Sequence, residues 1–561
     1  MSDRTFTTHQ IRRAVPVPTL WDFAALDTTA PVPARLPVPA RLPVPSAWEL
    51  VPALHNYRGR AHYTTRIRCG GNIRLSFGGV SFRARVLLDG NEIARHYGAF
   101  TAFETVVRRL PEGEHTLTVE VDNRFGEDSA LHVPNDYYSY GGITRPVVIK
   151  QLPDVFVERV GITTKHAADG WTADISATIR NLADEDASAD VTLTLAGQTF
   201  TQTAHIPADS TAIIRIPDAH YADVTAWTPD TPALYALRAE IREGNQVLDD
   251  LIDRVGFREI SISGMDLLLN GEKLRLMGFN RHEEYGAFGC AVPLQAMAQD
   301  ILMMKDMGCN CVRTCHYPND PRFLDLCDEM GLLVWEEAHA RGLQEEQMRN
   351  PNFMPQTRQC VHEMVAQHRN HPSIFIWGCL NECADNCDYG ADCYREVYAL
   401  LHNLDASRPM TAALLERPGS LVYGDSDVVS VNIYPQWYHN TPVAESLAQK
   451  LKEIREHGGA GKPVIISEIG AGGIYGYHDP LGESKWSEER QCTILRDQVE
   501  AVLKNPACSG VFLWQFADCR VTEEWAMHRP KTHNNKGVVD EYRRPKMSYA
   551  VVKELFQKQK G

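Results

Sequence analysis

Two glutamates stand at the ends of apolar runs, where their carboxylates could do chemistry. His371-Pro372-Ser373-Ile374-Phe375-Ile376-Trp377-Gly378-Cys379-Leu380 reads as a buried strand of β-branched and aromatic residues, and it ends on Asn381-Glu382. Pro463-Val464-Ile465-Ile466-Ser467 reads the same way and ends on Glu468. Parallel strands of an α/β barrel bring their carboxyl ends to one mouth, where such proteins keep their reactive groups. Two carboxylates delivered there by separate strands suit glycoside cleavage: one protonates the leaving oxygen and the other attacks the anomeric carbon.

The elements that must position this pair follow from the texture of the chain. From Leu274 onward strand, loop and helix alternate, with strand candidates at 275–279, 310–315, 332–336, 374–380, 410–415, 428–434, 463–467 and 510–516. Amphipathic stretches at 294–307, 321–330 and 488–504 read as helices between them. Eight such units in about 300 residues predict a (β/α)8 TIM barrel. Before it, short alternating runs from Tyr57 to Val148 and again from Asp154 to Phe257 indicate two antiparallel β-sandwiches, the second of immunoglobulin-like length. The expected domains are 1–152, 153–258 and 259–561. A hexapeptide repeat, Pro-Val-Pro-Ala-Arg-Leu, fills residues 31–45 and reads as an extended surface arm with a potential oligomer contact.

Bulk properties narrow the function classes. The 561 residues are 43% apolar and 23% charged, as in a soluble globular protein. A net charge of −15 argues against nucleic acid or an anionic membrane as partner, yet permits an anionic substrate in a local cationic pocket. Neither a signal peptide nor an apolar run of spanning length is visible, so a cytoplasmic location is expected. All of the 14 cysteines except Cys69 lie beyond residue 289, many inside expected strands and helices, which fits reduced thiols. Cys383, Cys387 and Cys393 lack a paired Cys-x-x-Cys partner, and no metal site is assigned to them.

The polar residues at each strand end outline the mouth: Asn280-Arg281-His282-Glu283-Glu284, Arg313, His316 and Tyr317, Glu336, Glu337, His339 and Arg341, Asn381 and Glu382, Asn432, Tyr434, Trp437 and Tyr438, Glu468, and Trp514, Gln515 and Asp518. Asn280-Arg281-His282-Glu283, Arg313-Thr314-Cys315-His316-Tyr317-Pro318, Asn370-His371-Pro372-Ser373, Asn381-Glu382, Ser467-Glu468 and Trp514-Gln515-Phe516-Ala517-Asp518, in this order, resemble glycoside hydrolase family 2. The resemblance implies a jelly-roll domain, an immunoglobulin-like domain and a catalytic TIM barrel, and cleavage with retention of configuration. It makes Glu382 the general acid/base and Glu468 the nucleophile, with Asn381 on the sugar 2-hydroxyl. Retention asks for carboxyl groups roughly 5–5.5 Å apart. It also asks that Glu382 hold its proton, for which Trp377 or the second carboxylate are the expected neighbours. His316, Asn432, Tyr434, Tyr438 and Trp514 are the remaining mouth residues expected to bind sugar.

Asn534-Asn535-Lys536-Gly537 looks like the Asn-x-Lys-Gly motif of the β-glucuronidase branch, with Asn534 and Lys536 gripping the sugar carboxylate. Trp486-Ser487-Glu488-Glu489 with Gln491 is similar to the same branch. Two positions depart from that pattern. Glu284 replaces an Asp at a place expected to contact sugar hydroxyls, and Arg341 replaces a small apolar residue; together they would suit the axial 4-hydroxyl of galacturonic acid. The segment from Gly342 to Gln356 is short, so an open aglycone side without a large lid is expected. The sequence therefore predicts an exo-acting β-glucuronidase or β-galacturonidase acting on a glycoside or oligosaccharide that carries a uronic acid, with no cofactor and as a homo-oligomer. β-Galactosidase and a non-catalytic carbohydrate-binding protein are the alternatives; the first leaves Asn534 and Lys536 unexplained, the second leaves Glu382 and Glu468 unexplained.

Overall fold

Eight parallel strands close into a barrel in the C-terminal half: β1 Leu276–Arg281, β2 Cys311–Thr314, β3 Leu333–Glu337, β4 Ile374–Cys379, β5 Met410–Leu414, β6 Val429–Asn432, β7 Val464–Ile469 and β8 Gly510–Leu513. Each pairs with the next, and β8 returns to β1 through Leu276–Phe279. The architecture comes from a computed structural model that describes residues 3–27 and 40–559. All eight strands lie where the alternation of the sequence puts them. Every strand residue is buried, as expected for strands packed on both faces.

Two apolar layers explain that burial. Phe375, Ile376, Ile465, Phe512 and Trp335 fill the barrel lumen, and Trp227 from the preceding domain joins the same cluster. Ile374, Trp377, Val431, Ile466 and Leu513 belong instead to the cluster shared with the surrounding helices. Gly378 has to be glycine, because a Cβ there would stand 2.0 Å from the indole nitrogen of Trp335. Helices fall at Leu294–Asp306, Pro321–Met330 and Glu488–Lys504, among others. The second shows why the ends are sharp: Asp320 accepts the Arg322 N–H, Pro321 opens the first turn, and Gly331 closes the helix in the left-handed region.

The N-terminal half is sheet-rich. Two long strands, Arg60–Phe77 and Phe103–Asp122, pair antiparallel along most of their length at the centre of the first sheet. Alternate residues such as Ala61, Tyr63 and Ile67 enter a core with Trp21, Trp48 and Val119. A second unit packs a 3-stranded sheet (Val155–Ala167, Gly170–Asn181, Thr211–Tyr221) with a 4-stranded one (Gln198–Ile206, Ala187–Leu195, Tyr235–Glu243, Gln246–Val255). Trp171, Ile175, Leu193, Leu237 and Phe257 share its core. Residues 31–39 of the proline-rich repeat lie outside the described residues, while Arg41–Pro43 forms a short strand against Leu20–Asp22.

What matters for function is how the first domain leans on the barrel mouth. Arg145 grips both carboxylate oxygens of Glu283 at 3.2 and 3.1 Å and reaches the Pro318 carbonyl at 2.9 Å. Phe100 stacks on Tyr317 with ring centroids 3.8 Å apart. The segment 342–356 holds a helical turn, Glu345–Met348, and the start of the helix Phe353–His368; Asn350 and Gln356 bond Glu127 and Asp128 of the first domain. No helix among the described residues is long and apolar enough to cross a membrane.

Candidate active site

Arg313, at the end of β2, organises the barrel mouth. Its guanidinium donates to Glu337 at 2.8 and 2.9 Å, to Asn280 at 2.8 Å, to Asn381 at 2.8 Å and to Glu468 at 2.8 Å. One fully buried cation thus ties together side chains from β1, β3, β4 and β7. Such a charge is tolerated only when its donors are satisfied, and here the acceptors surround it.

Glu468 is fixed from both sides. Its Oε1 takes the Arg313 bond and its Oε2 accepts the Tyr434 hydroxyl at 2.7 Å. Burial pushes its pKa up to about 7; Arg313 and Tyr434 oppose the rise and the charge of Glu382 adds to it. Glu382 follows β4 with φ +50°, a left-handed conformation that a non-glycine residue rarely adopts. Its backbone N–H donates to Ala413 and that of Asn381 to Ala340, so β5 and the loop after β3 hold the turn. The Glu382 side chain accepts Asn432 Nδ2 at 2.9 Å and faces Arg341 Nη2 at 3.3 Å. The hydroxyl of Ser467 donates to Asn432 Oδ1 at 2.7 Å, which turns the amide so that its N–H2 meets Glu382.

A cationic wall stands beside the pair. Arg341 Nη2 approaches Asp136 Oδ1 at 3.2 Å, Arg529 donates to Asp136 Oδ2 at 3.0 Å, and Asn534 Nδ2 donates to the same oxygen at 3.1 Å. Lys536 Nζ donates to Asn534 Oδ1 at 3.2 Å and lies 5.5 Å from the Tyr438 ring. Burial raises the Asp136 pKa, but Arg341, Arg529 and Lys536 outweigh it and hold the carboxylate below its ordinary range. Gly537 packs so tightly that a Cβ would meet Asp518 N and Val539 O at 2.4 Å. Lys546, buried against Asp518 at 2.7 Å and on the Asn535 carbonyl, braces this turn from behind.

The structure brings together Glu382, Glu468, Asn381, Asn432, Tyr434, His316, Trp514, Arg341, Asn534, Lys536 and Tyr438. His316 stacks on Trp514 at 5.1 Å and is pushed well below its usual pKa by burial and Arg313. Tyr438 packs on Tyr434 at 5.1 Å and is 56% exposed at the rim. Two expectations need correction. Glu284 turns into the seam with the first domain, where its carboxylate accepts the Arg520 N–H at 2.8 Å beside Tyr140 and Cys290. Burial raises its pKa, and nothing aims it at a sugar. Trp377 points outward from the barrel, its indole N–H on Asp405 at 3.0 Å, so it does not neighbour Glu382. Among the described residues Cys383, Cys387 and Cys393 form no metal-ligating cluster.

The pattern that defines the TIM barrel domain of glycosyl hydrolases family 2 matches residues 260–560, and the companion family 2 pattern matches residues 155–258. The chain belongs to glycosyl hydrolases family 2. A solved family 2 β-galacturonidase from Eisenbergiella tayi, bound to galacturonate, is 46% identical over 99% of both chains with a TM-score of 0.95. A β-glucuronidase from Streptococcus agalactiae is 28% identical over 86% of this chain and 84% of its own. A Formosa agariphila protein described as a β-glucuronidase is 28% identical over 87% of this chain, which spans 62% of that longer protein.

Sequence reasoning missed three contributors to this family 2 site. Asp136 and Asn135 come from the first domain, and Asn135 Oδ1 accepts Arg341 at 2.6 Å. Their one signal was the polar and aromatic loop Asn135-Asp136-Tyr137-Tyr138, out of place in a sandwich edge. Arg529 is one of several basic residues near Lys536; Arg543 and Arg544 are committed to Asp300 and Asp540, whereas Arg529 reaches Asp136 in the site.

Proposed function

We propose that this family 2 enzyme is a retaining, exo-acting β-hexuronidase that removes terminal β-D-galacturonides and β-D-glucuronides, the galacturonide in preference. The observation that carries the reading is the buried Lys536–Asn534 pair, set with Arg341 and Arg529 beside the two carboxylates. An ammonium and an amide donor satisfy a sugar carboxylate, and a neutral hexose would leave them unpaired at a cost. Asn381 Nδ2 is buried without a partner among the described residues, which suits a donor waiting for the 2-hydroxyl.

In this mechanism ionised Glu468, aimed by Arg313 and Tyr434, attacks the anomeric carbon while Glu382 gives its proton to the glycosidic oxygen. The bond to the leaving group breaks and an ester to Glu468 forms. Glu382, now a carboxylate, takes a proton from water, and the hydroxide displaces Glu468 with a second inversion. No electrons change hands, and both proton transfers use one side chain. Arg341, braced between Asp136 and Glu382, places a fixed cationic donor over the mouth and supports the preference for an axial 4-hydroxyl. The 46% identity to the Eisenbergiella tayi β-galacturonidase, against 28% to β-glucuronidases, supports it too.

The test is kcat/KM on p-nitrophenyl β-D-galacturonide, β-D-glucuronide and β-D-galactoside. The galacturonide is expected to lead the glucuronide by about tenfold or more, the scale of one hydroxyl contact, and both to exceed the galactoside by about 10³. Turnover of the galactoside alone defeats the proposal. Proton NMR of the first product should show the β-anomer; an initial α-anomer would rule out retention.

A further inference from the structure

On one side of the mouth lies a group of side chains that glycoside cleavage does not use as a unit. One ring nitrogen each of His282 and His316 and the Sγ of Cys315 lie within 4.8 Å of one another, and all three residues are buried. The Nδ1 of each ring already has a partner. His316 Nδ1 lies 3.0 Å from Glu337 Oε1, and His282 Nδ1 lies 3.2 Å from the Tyr317 hydroxyl. Both Nε2 atoms are buried and meet no hydrogen-bonding partner among the described residues. Proteins orient an imidazole toward a metal in this way, with a carboxylate or hydroxyl on the far nitrogen and the near one left bare. Trp514 locks the two rings, stacked on His316 and edge-on to His282 with centroids 5.4 Å apart.

A second buried cluster, Asp325, Asp328 and His371, makes the contrast. There His371 Nε2 is bare as well, but its other two members are carboxylates, and Arg4 already donates to both oxygens of Asp325. Neither Nε2 of His282 and His316 is hydrogen-bonded by a guanidinium or ammonium among the described residues; Arg313 Nη2 lies 3.3 Å from His316 on the Nδ1 side.

We propose that His282, Cys315 and His316 form a binding site for a borderline-soft divalent cation such as Zn2+, and that its occupation inhibits the enzyme by filling the sugar pocket. Two imidazoles and a thiolate are ligands that zinc accepts and that magnesium or calcium do not, and they leave the fourth tetrahedral position open. When the cation binds, the Cys315 S–H bond breaks, its proton passes to the buffer, and an S–Zn bond forms without any change of oxidation state. Hydrolysis needs no such ion, so the site acts as a brake rather than as part of the reaction. Competition with a uronide rests on the function proposed above; binding of the cation does not.

Binding and inhibition are measured separately. Calorimetric titration of the full chain with Zn2+ should show one site per chain, equally in Cys492→Ser, a control thiol far along the sequence. Loss of an outer-shell partner already costs about 10–100-fold in metal affinity, so loss of the ligand itself in Cys315→Ser and Cys315→Ala should cost at least as much. Co2+ bound to the parent should give a thiolate charge-transfer band that both Cys315 variants lack. In kinetics Zn2+ should raise KM for the aryl uronide with kcat unchanged and be reversed by EDTA, while Cys315→Ser, compared with its own zinc-free rate, resists the metal. Equal zinc affinity in parent and both Cys315 variants, no zinc binding by the parent, or a fall in kcat at constant KM overturns the proposal. If no uronide is cleaved, the titration and the cobalt band still decide it.

Discussion

The two halves of the mouth are built on different principles. The reacting half, with Asn280, Arg313, Glu337, Asn432, Ser467 and Glu468, sits on strands or at their ends, and one buried guanidinium couples most of it. The half proposed to bind the sugar carboxylate, with Asp136, Arg341, Arg529, Asn534 and Lys536, comes from the first domain, from the segment after β3 and from the segment after β8, where Asn534 pairs with Cys519 in a two-stranded ladder. A strand end is positioned by its ladder, so the reacting groups inherit the rigidity of the barrel. The loops rely on charge pairing and on packing such as that of Gly537 against Asp518 and Val539. Chemistry common to a whole family belongs on the first half, and substrate choice on the second.

Breaking the reacting half should cost the most. Glu468→Gln removes the proposed nucleophile, and kcat on either aryl uronide should fall by about 10⁴ or more with the circular dichroism spectrum intact. Lys536→Met attacks the other half: kcat/KM for the galacturonide should fall by about 10²–10³, the loss of a charge-assisted pair, while the galactoside rate stays level or rises. Equal losses on both substrates would place Lys536 in general folding instead. Asp136→Asn should be milder, about 10–10²-fold on uronides, because it loosens Arg341 and Arg529 without removing a cation from the pocket. Its effect should vanish on the galactoside if Asp136 acts only through that wall.

The pH profile sharpens the same division. In the proposed mechanism Glu468 works ionised, and with burial pushing its pKa up to about 7, kcat/KM should decline as pH falls through about 7. The Tyr434 hydroxyl stabilises the ionised form; Tyr434→Phe removes that bond, raises the pKa and should move the acid limb upward by about one unit. An acid limb that stays in place would mean that it reports another group, with Glu337, also pushed up to about 7 by burial, next in line.

The reacting half was also the legible half. Strand periodicity, burial on both faces and a polar residue at the end of each run are local signals, and they located all eight strands together with Glu382, Glu468, Asn432 and Tyr434. Asp136 lies 246 residues before Glu382 in the chain (382 − 136), and only the docking of two domains brings them near, a relation no window of sequence contains. Glu284 failed for a different reason. One residue past a correctly read cluster, its side chain exits toward the first domain, and sequence spacing does not say to which side a loop carboxylate turns.

The smallest effect on activity is expected at a residue whose sequence position promised one. Trp377 lies on β4, five residues before Glu382, yet it belongs to the outer layer, with its N–H on Asp405 and the Arg408 guanidinium 5.3 Å from its ring. Trp377→Phe leaves Asp405 short of one donor while Arg408 and Ser407 still hold it. The loss of that bond and of part of the buried ring should cost about 1–3 kcal/mol of stability, read as a lower Tm. Because the side chain faces away from the mouth, kcat/KM and its pH limbs should match the parent. A clearly lower kcat/KM in Trp377→Phe would mean that the outer layer does shape the mouth, and the division between a rigid reacting half and its surroundings would have to be redrawn one layer further out.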